Sequence, residues 1–175
     1  MKNFKFTKTE KISLTLALLV LVVLFISSSM TYKQQEMDPA EIKRRFGFIE
    51  PVIKNWNIKY AGAWHNRVSD GGIAGFTQFF VRKLAHFCTY FLLGIFSYFG
   101  LKRVFVFKWM GPFFVWFMTI AFAAFDEYHQ YLTGDRTPSV HDVMLDGAGS
   151  LCGIIILLVC LAVTMKIGKN KAINH

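Results

Sequence analysis

Four apolar runs limit what this chain can fold into: residues 12–29, 75–101, 109–125 and 139–165. About 20 apolar residues cross a bilayer as a helix. The pattern therefore predicts an all-α, polytopic membrane protein of about four transmembrane helices. Composition agrees. Of 175 residues, 54% are hydrophobic, 17% aromatic and only 18% charged, whereas a soluble domain of this size carries more charge and fewer aromatics.

The net charge of +9 is not a nucleic-acid signal. The basic residues lie mostly beside the apolar runs, where they orient helices and meet anionic lipid. Residues 1–11 carry four lysines against one glutamate, Lys102, Arg103 and Lys108 follow the second run, and the tail KIGKNKAINH is basic. Placing these three segments in the cytoplasm puts both termini inside a multi-pass cell-membrane protein. Residues 1–29 are then the first transmembrane helix or signal anchor, with a cleaved signal peptide as the alternative. Residues 30–74 form an extracytoplasmic segment, 75–166 a three-helix membrane domain and 167–175 a cytoplasmic tail. Cys88, Cys152 and Cys160 fall within predicted helices and read as buried thiols rather than a disulfide framework.

The 30–74 segment holds local signals. Asp38-Pro39-Ala40-Glu41 starts a short helix, with Asp38 as cap, Pro39 at the first position and Glu41 completing a capping box. Ile42, Phe46 and Ile49 then share a face. Trp56, Tyr60 and Trp64 are four apart and would form an aromatic ladder on a helix. The segment lies on the membrane or over the bundle, or is a loop with a few anchors. Residues 69–72, Ser-Asp-Gly-Gly, read as a turn.

The polar residues converge. Asp126 to Gly153 contains five of the eleven acidic residues (Asp126, Glu127, Asp135, Asp142, Asp146), with His129, His141 and Arg136. Its counterpart is Arg82 to Tyr90. Under the four-helix topology all of these fall at the outer ends of helices. Arg82, His86 and Tyr90 are four apart and share a helix face, as do Asp142 and Asp146. Asp126 and Gln130 align if the third helix continues. Ser139 with Asp142 forms a second capping box. Gly147, Gly149 and Gly153 allow close approach of another helix. The expectation is an extracytoplasmic polar pocket lined by Arg82, Lys83, His86, Tyr90, Asp126, Glu127, Gln130, Arg136, Asp142 and Asp146.

Each residue has a plainer reading. Lys83 could only snorkel to phosphates. His86 could be a hydrogen-bonded packing residue, or a base or metal ligand beside the carboxylates. Asp126 and Glu127 oppose the helix dipole and call for a positive partner, Arg136 or Lys83. Arg136 could be a counterion or could grip a phosphate or carboxylate. Asp142 could merely cap; Asp146, one turn deeper, is harder to dismiss. His65, His129, His141 and Asp135 read as solvated loop residues.

The order R-K-x-x-H-F-x-x-Y-x-x-L-G, D-E-x-x-Q, R-x-x-S-x-x-D and D-G-x-G-x-x-x-G resembles the VanZ-like membrane proteins. The positions carrying it are Lys83, His86, Phe87, Tyr90, Leu93, Gly94, Asp126, Glu127, Gln130, Arg136, Ser139, Asp142, Gly147, Gly149 and Gly153. The likeness covers about residues 80–160. One departure is Asp146, where the family commonly has Asn. The resemblance implies a bacterial envelope location and a theme of resistance to the glycopeptide teicoplanin.

Three functions compete. An enzyme acting on a membrane lipid or lipid-linked envelope precursor at the outer leaflet would use His86, Asp126, Glu127 and Asp142 as acid, base or ligands. Arg82, Lys83, Tyr90, Gln130, Arg136, Ser139 and Asp146 would bind. The sequence names no cofactor and leaves a metal open; it carries no HExxH pattern or recognised nucleophile motif. A non-enzymatic binder of a headgroup, precursor or antibiotic would use the same residues. Transport fits less well, because four helices leave little room for a path unless the chain oligomerises.

Overall fold

A computed structural model describes residues 5–133 and 138–173, with the side chains of Tyr32, Lys169 and residues 171–173 left aside. Asp135 and Arg136 lie outside the described residues. Of the described residues, 74% are helical. In order, its elements are α1 Lys8–Ser28, α2 Tyr32–Gln35, α3 Pro39–Phe46, α4 Glu50–Ile53, β1 Ile58–Tyr60, β2 Ala63–His65, α5 Ile73–Leu101, α6 Met110–Leu132 and α7 Val140–Ile173. Among the described residues, three helices, α1, α5 and residues 140–168 of α7, are long and apolar enough to cross a membrane. The 23-residue α6 holds Asp126 and Glu127 within its own length.

Helix α5 is the centre. It packs most extensively on α7, then on α1 and α6. Between apolar helices in lipid, association comes from van der Waals contact and close backbone approach rather than from water exclusion. The α5–α7 seam is built that way. A Cβ at Gly149 would strike the Phe87 carbonyl, and one at Gly153 the Phe91 carbonyl. Gly94 repeats the arrangement from the other side, facing the Ser150 backbone. Gly147 instead faces Ile120 of α6, and its carbonyl accepts a 2.9 Å hydrogen bond from Trp116 Nε1. The small residues thus serve both neighbouring helices.

Helix α1 begins with a capping box. Thr7 Oγ1 accepts from Glu10 N at 3.3 Å and Thr7 N donates to Glu10 Oε2 at 2.8 Å. Its small residues then enter the core: Ser13 Oγ donates to Phe96 O at 2.9 Å, and Ala17 joins Leu24, Tyr90, Leu93 and Ala123 in one buried cluster. Tyr98, Val115 and Ile154 form a second cluster between α5, α6 and α7.

The segment before α5 adds two short strands to a mostly helical fold. Asp38 caps α3, accepting from Ala40 N at 2.7 Å, with Pro39 at the first position. The capping box does not close, because the Glu41 carboxylate turns to Arg45 Nη2 at 2.6 Å. Ile42 is buried, with Phe46 and Ile49 half-buried beside it. Residues 58–65 are not helical. They form an antiparallel hairpin with Ile58 opposite His65 and Tyr60 opposite Ala63. Ala61 and Gly62, at φ 49° and 85°, make its two-residue turn. The aromatic spacing of four therefore does not make a ladder: Tyr60 turns toward the bundle and Trp64 stays exposed. The turn at 69–72 ends with Gly71 and Gly72, both at positive φ (71° and 117°), where α5 starts.

The cysteines are free, and all three are exposed on helix surfaces rather than buried.

Candidate functional site

The first turn of α7 brings Asp142 to Lys83, in the third turn of α5. Lys83 Nζ donates to Asp142 Oδ1, and Tyr60 of the hairpin donates to the same oxygen at 2.6 Å. The ammonium lies 4.9 Å from the centroid of the Tyr60 ring, a cation–π distance. Burial, together with the bond to Asp142, pushes the Tyr60 phenol above its ordinary pKa of 10.0. It therefore remains a donor across the neutral range. Phe79 supports this arrangement from beneath. The His65 ring stacks on it at 3.8 Å, while His65 Nδ1 lies 2.9 Å from Asp70 Oδ1. A cavity of about 440 Å³ opens here, lined by Tyr60, Gln78, Arg82, Lys83, Ser139 and Asp142 among others.

One turn further along both helices lies a second pair. His86 Nδ1 is 3.5 Å from Asp146 Oδ2, at the outer limit of a hydrogen bond. Asp146 is 1% exposed, and neither of its oxygens has a hydrogen-bond partner among the described residues. Tyr90, another turn down and 0% exposed, likewise has no partner for its hydroxyl. Buried polar groups without partners are rare and costly. Among the described residues, no three His, Cys, Asp or Glu side chains cluster as a metal site.

The acids of α6 face different tasks. Asp126 Oδ2 accepts from Gln130 Nε2 at 2.7 Å, as the spacing of four anticipates once α6 continues to Leu132. Glu127 Oε2 accepts from the backbone N–H of Ser139 at 2.9 Å. This replaces the expected capping box. Asp142, the third residue of α7, has its carboxylate drawn off to Lys83 and Tyr60, so Glu127 of α6 takes the free N–H instead. Ser139 Oγ is left buried without a partner among the described residues. Glu127 thus meets the positive end of the α7 dipole, whereas Lys83, the expected counterion, pairs with Asp142. Arg136 lies outside the described residues.

The sequence-predicted residues do not all line one pocket. Arg82, Lys83, Ser139 and Asp142 line the cavity under the hairpin. Tyr90 and Asp126 line a separate one of about 280 Å³, walled by Leu21, Leu24, Phe122 and Phe125 of α1 and α6. His129 lines it too. It is half-buried rather than a free loop residue: Nδ1 lies 2.9 Å from the buried Ser28 Oγ, and the ring stacks on Phe25 at 5.0 Å. His141 is exposed, its ring 5.8 Å from that of Tyr60. Sequence reasoning missed Tyr60 as a site residue. The signal was present in Ala61-Gly62 between two short aromatic stretches, a hairpin pattern.

A family model described as VanZ/LLP1 matches residues 13–161. The match thus extends through α1 and the hairpin, beyond residues 80–160. No curated protein and no solved structure matches the chain.

Proposed function

The chain belongs to the VanZ/LLP1 family, and from that premise we propose that it acts on a lipid-linked or cell-wall substrate at the outer leaflet of a bacterial membrane. Helix α6 serves as a fourth span beside the three apolar helices. The basic segments at residues 1–11, 102–108 and 166–171 then share the cytoplasmic side, and the hairpin and Asp142 lie outside.

The observation that carries the reading is Asp146. A carboxylate this buried, with no hydrogen bond to either oxygen among the described residues, is expensive for a fold to keep unless it serves a purpose. Its neighbour is His86. In this reading Asp146 orients the imidazole and His86 handles the proton. Lys83, Arg82 and Arg136 hold an anionic group of the substrate. Lys83 can leave Asp142 for that anion without stranding the carboxylate, because Tyr60 still donates to it. By this route the protein lowers susceptibility to teicoplanin, the theme its family resemblance implies.

A second reading is a binder that performs no reaction. It is favoured by the hydrogen bonds that already engage Asp126 and Glu127, since these acids then hold the fold rather than transfer protons.

The test is teicoplanin susceptibility in a sensitive host expressing matched membrane levels of wild type, His86→Ala, Lys83→Gln and Arg136→Ala. Protection by wild type, lost in all three variants, supports the reading. Protection by His86→Ala equal to wild type removes the proton-handling role and leaves the binder. Absence of protection by wild type overturns the resistance theme.

A further inference from the structure

A groove of about 950 Å³ runs between α5, α6 and α7 at the end of the bundle away from Asp142. Its walls are almost wholly apolar, with Leu158 and Ala162 of α7 on one side, and on the other Trp116 of α6 and Trp109, which immediately precedes that helix. Its rim carries three cations, Lys102, Arg103 and Lys108. The Lys102 ammonium sits 3.6 Å from the centroid of the Phe99 ring. Arg103 Nη1 lies 3.4 Å from Glu10 Oε2, so one acid offsets part of the charge. Lys108 is exposed. An apolar trough with a cationic rim fits an amphiphile with an anionic head, and its volume is in the range of ligand sites. A second copy of the chain is a poor occupant. A two-fold contact through this groove would set one basic rim against another.

We propose that this groove is a binding site for an anionic phospholipid of the inner leaflet, its acyl chain along α7 and its phosphate among Lys102, Arg103 and Lys108. The site is separate from the His86–Asp146 pair. It rests on the membrane orientation proposed above, but not on the chemistry of the outer cavity.

Trp109 and Trp116 report on the groove directly. The full chain carrying Trp56→Phe and Trp64→Phe is reconstituted in phosphatidylcholine vesicles. These contain a small fraction of bromine-labelled phosphatidylglycerol or bromine-labelled phosphatidylcholine, and quenching of tryptophan fluorescence is measured. A preference of about 30-fold for the anionic lipid is expected, from about 1 kcal/mol for each of the two cations that Glu10 leaves uncompensated. Lys108→Gln should reduce that preference severalfold. Ala162→Phe, which fills the groove and leaves the rim intact, should abolish it. Equal quenching by the two lipids in the unsubstituted groove overturns the proposal. So does a preference that survives Ala162→Phe, because the anionic lipid is then merely gathered around the protein. A dimer whose tryptophans are quenched by neither lipid also overturns it, since a second copy then covers the groove. Loss of teicoplanin protection in His86→Ala has no bearing on this outcome.

Discussion

Gly94→Ala tests the close approach on which the outer site depends. A Cβ at Gly94 would lie 2.5 Å from the Ser150 carbonyl oxygen and 2.8 Å from Ser150 Oγ. Ordinary contact begins at 3.4 Å, so α5 and α7 must separate by about 1 Å. Neither side can yield cheaply. The obstacle is backbone, and Ser150 Oγ is held by Thr119 Oγ1 at 2.7 Å. Overpacking of this kind costs about 1–3 kcal/mol, while replacing a helical glycine by alanine returns up to about 1 kcal/mol. The expected net loss is about 1–2 kcal/mol, a fall of about 3–6 °C in thermal midpoint for a chain of this length. Because Ser150 lies one turn beyond Asp146, the same separation pulls Asp146 from His86, and activity should fall with stability. The control is Gly168→Ala, on the partner helix α7 with nothing within 4 Å of its added Cβ; it should be neutral or slightly stabilising. The assay is tryptophan-monitored melting in detergent at matched concentration. If Gly94→Ala melts no lower than Gly168→Ala, the α5–α7 seam is not closely packed and the reasoning is refuted.

Three further substitutions separate chemistry from architecture. Asp146→Asn keeps an acceptor that can orient the His86 imidazole, so it should retain much of any protective activity, whereas Asp146→Leu should lose it; equal activity in both would show that His86 needs no orienting partner. Glu127→Gln still offers an oxygen to the Ser139 N–H, so its stability should fall by well under the about 1–3 kcal/mol expected of Glu127→Ala, which strands a half-buried donor. Full loss of activity in a stably folded Glu127→Gln would instead mark a proton-transfer role. Tyr60→Phe removes a donor to Asp142, and a hydrogen bond to a charged group is worth about 1.5–3 kcal/mol; binding of an anionic headgroup should weaken about tenfold or more, by the same factor from pH 6 to 9. The sign at alkaline pH follows from the raised phenol. Its stabilising effect is complete below the unfolded value of 10.0 and is lost as pH rises further. Wild type should therefore lose stability above that pH more steeply than Tyr60→Phe, and parallel alkaline profiles would count against the Tyr60–Asp142 contact.

The helices were legible because each depends on its own stretch of chain. Apolar runs marked all four long helices as spans; among the described residues α1, α5 and α7 are long and apolar enough to cross a membrane. The Asp38-Pro39 cap placed α3, the small residues of α7 predicted a close partner, and Asp126 with Gln130 fitted a longer α6. The hairpin was not legible from its aromatic spacing, because a period of four matches a helix while Ala61 and Gly62 set a tight turn. Both capping boxes failed for one reason: the third-position carboxylate found a stronger partner, Arg45 for Glu41 and Lys83 with Tyr60 for Asp142. His129 read as solvated because its neighbour Ser28 lies on a distant helix.

The sequence by itself determined that this chain forms long apolar helices, with the polar groups of Arg82–Tyr90 and Asp126–Asp146 placed near helix ends, since apolar length and charge position are local properties. Only the tertiary structure decided which groups meet. Tyr60 reaches Asp142 across 82 positions and Lys83 reaches it across 59. Such pairings follow from helix rotation and close backbone approach along the α5–α7 seam, which no periodicity specifies. The same geometry leaves Asp146 beside His86 with no hydrogen bond to either oxygen among the described residues.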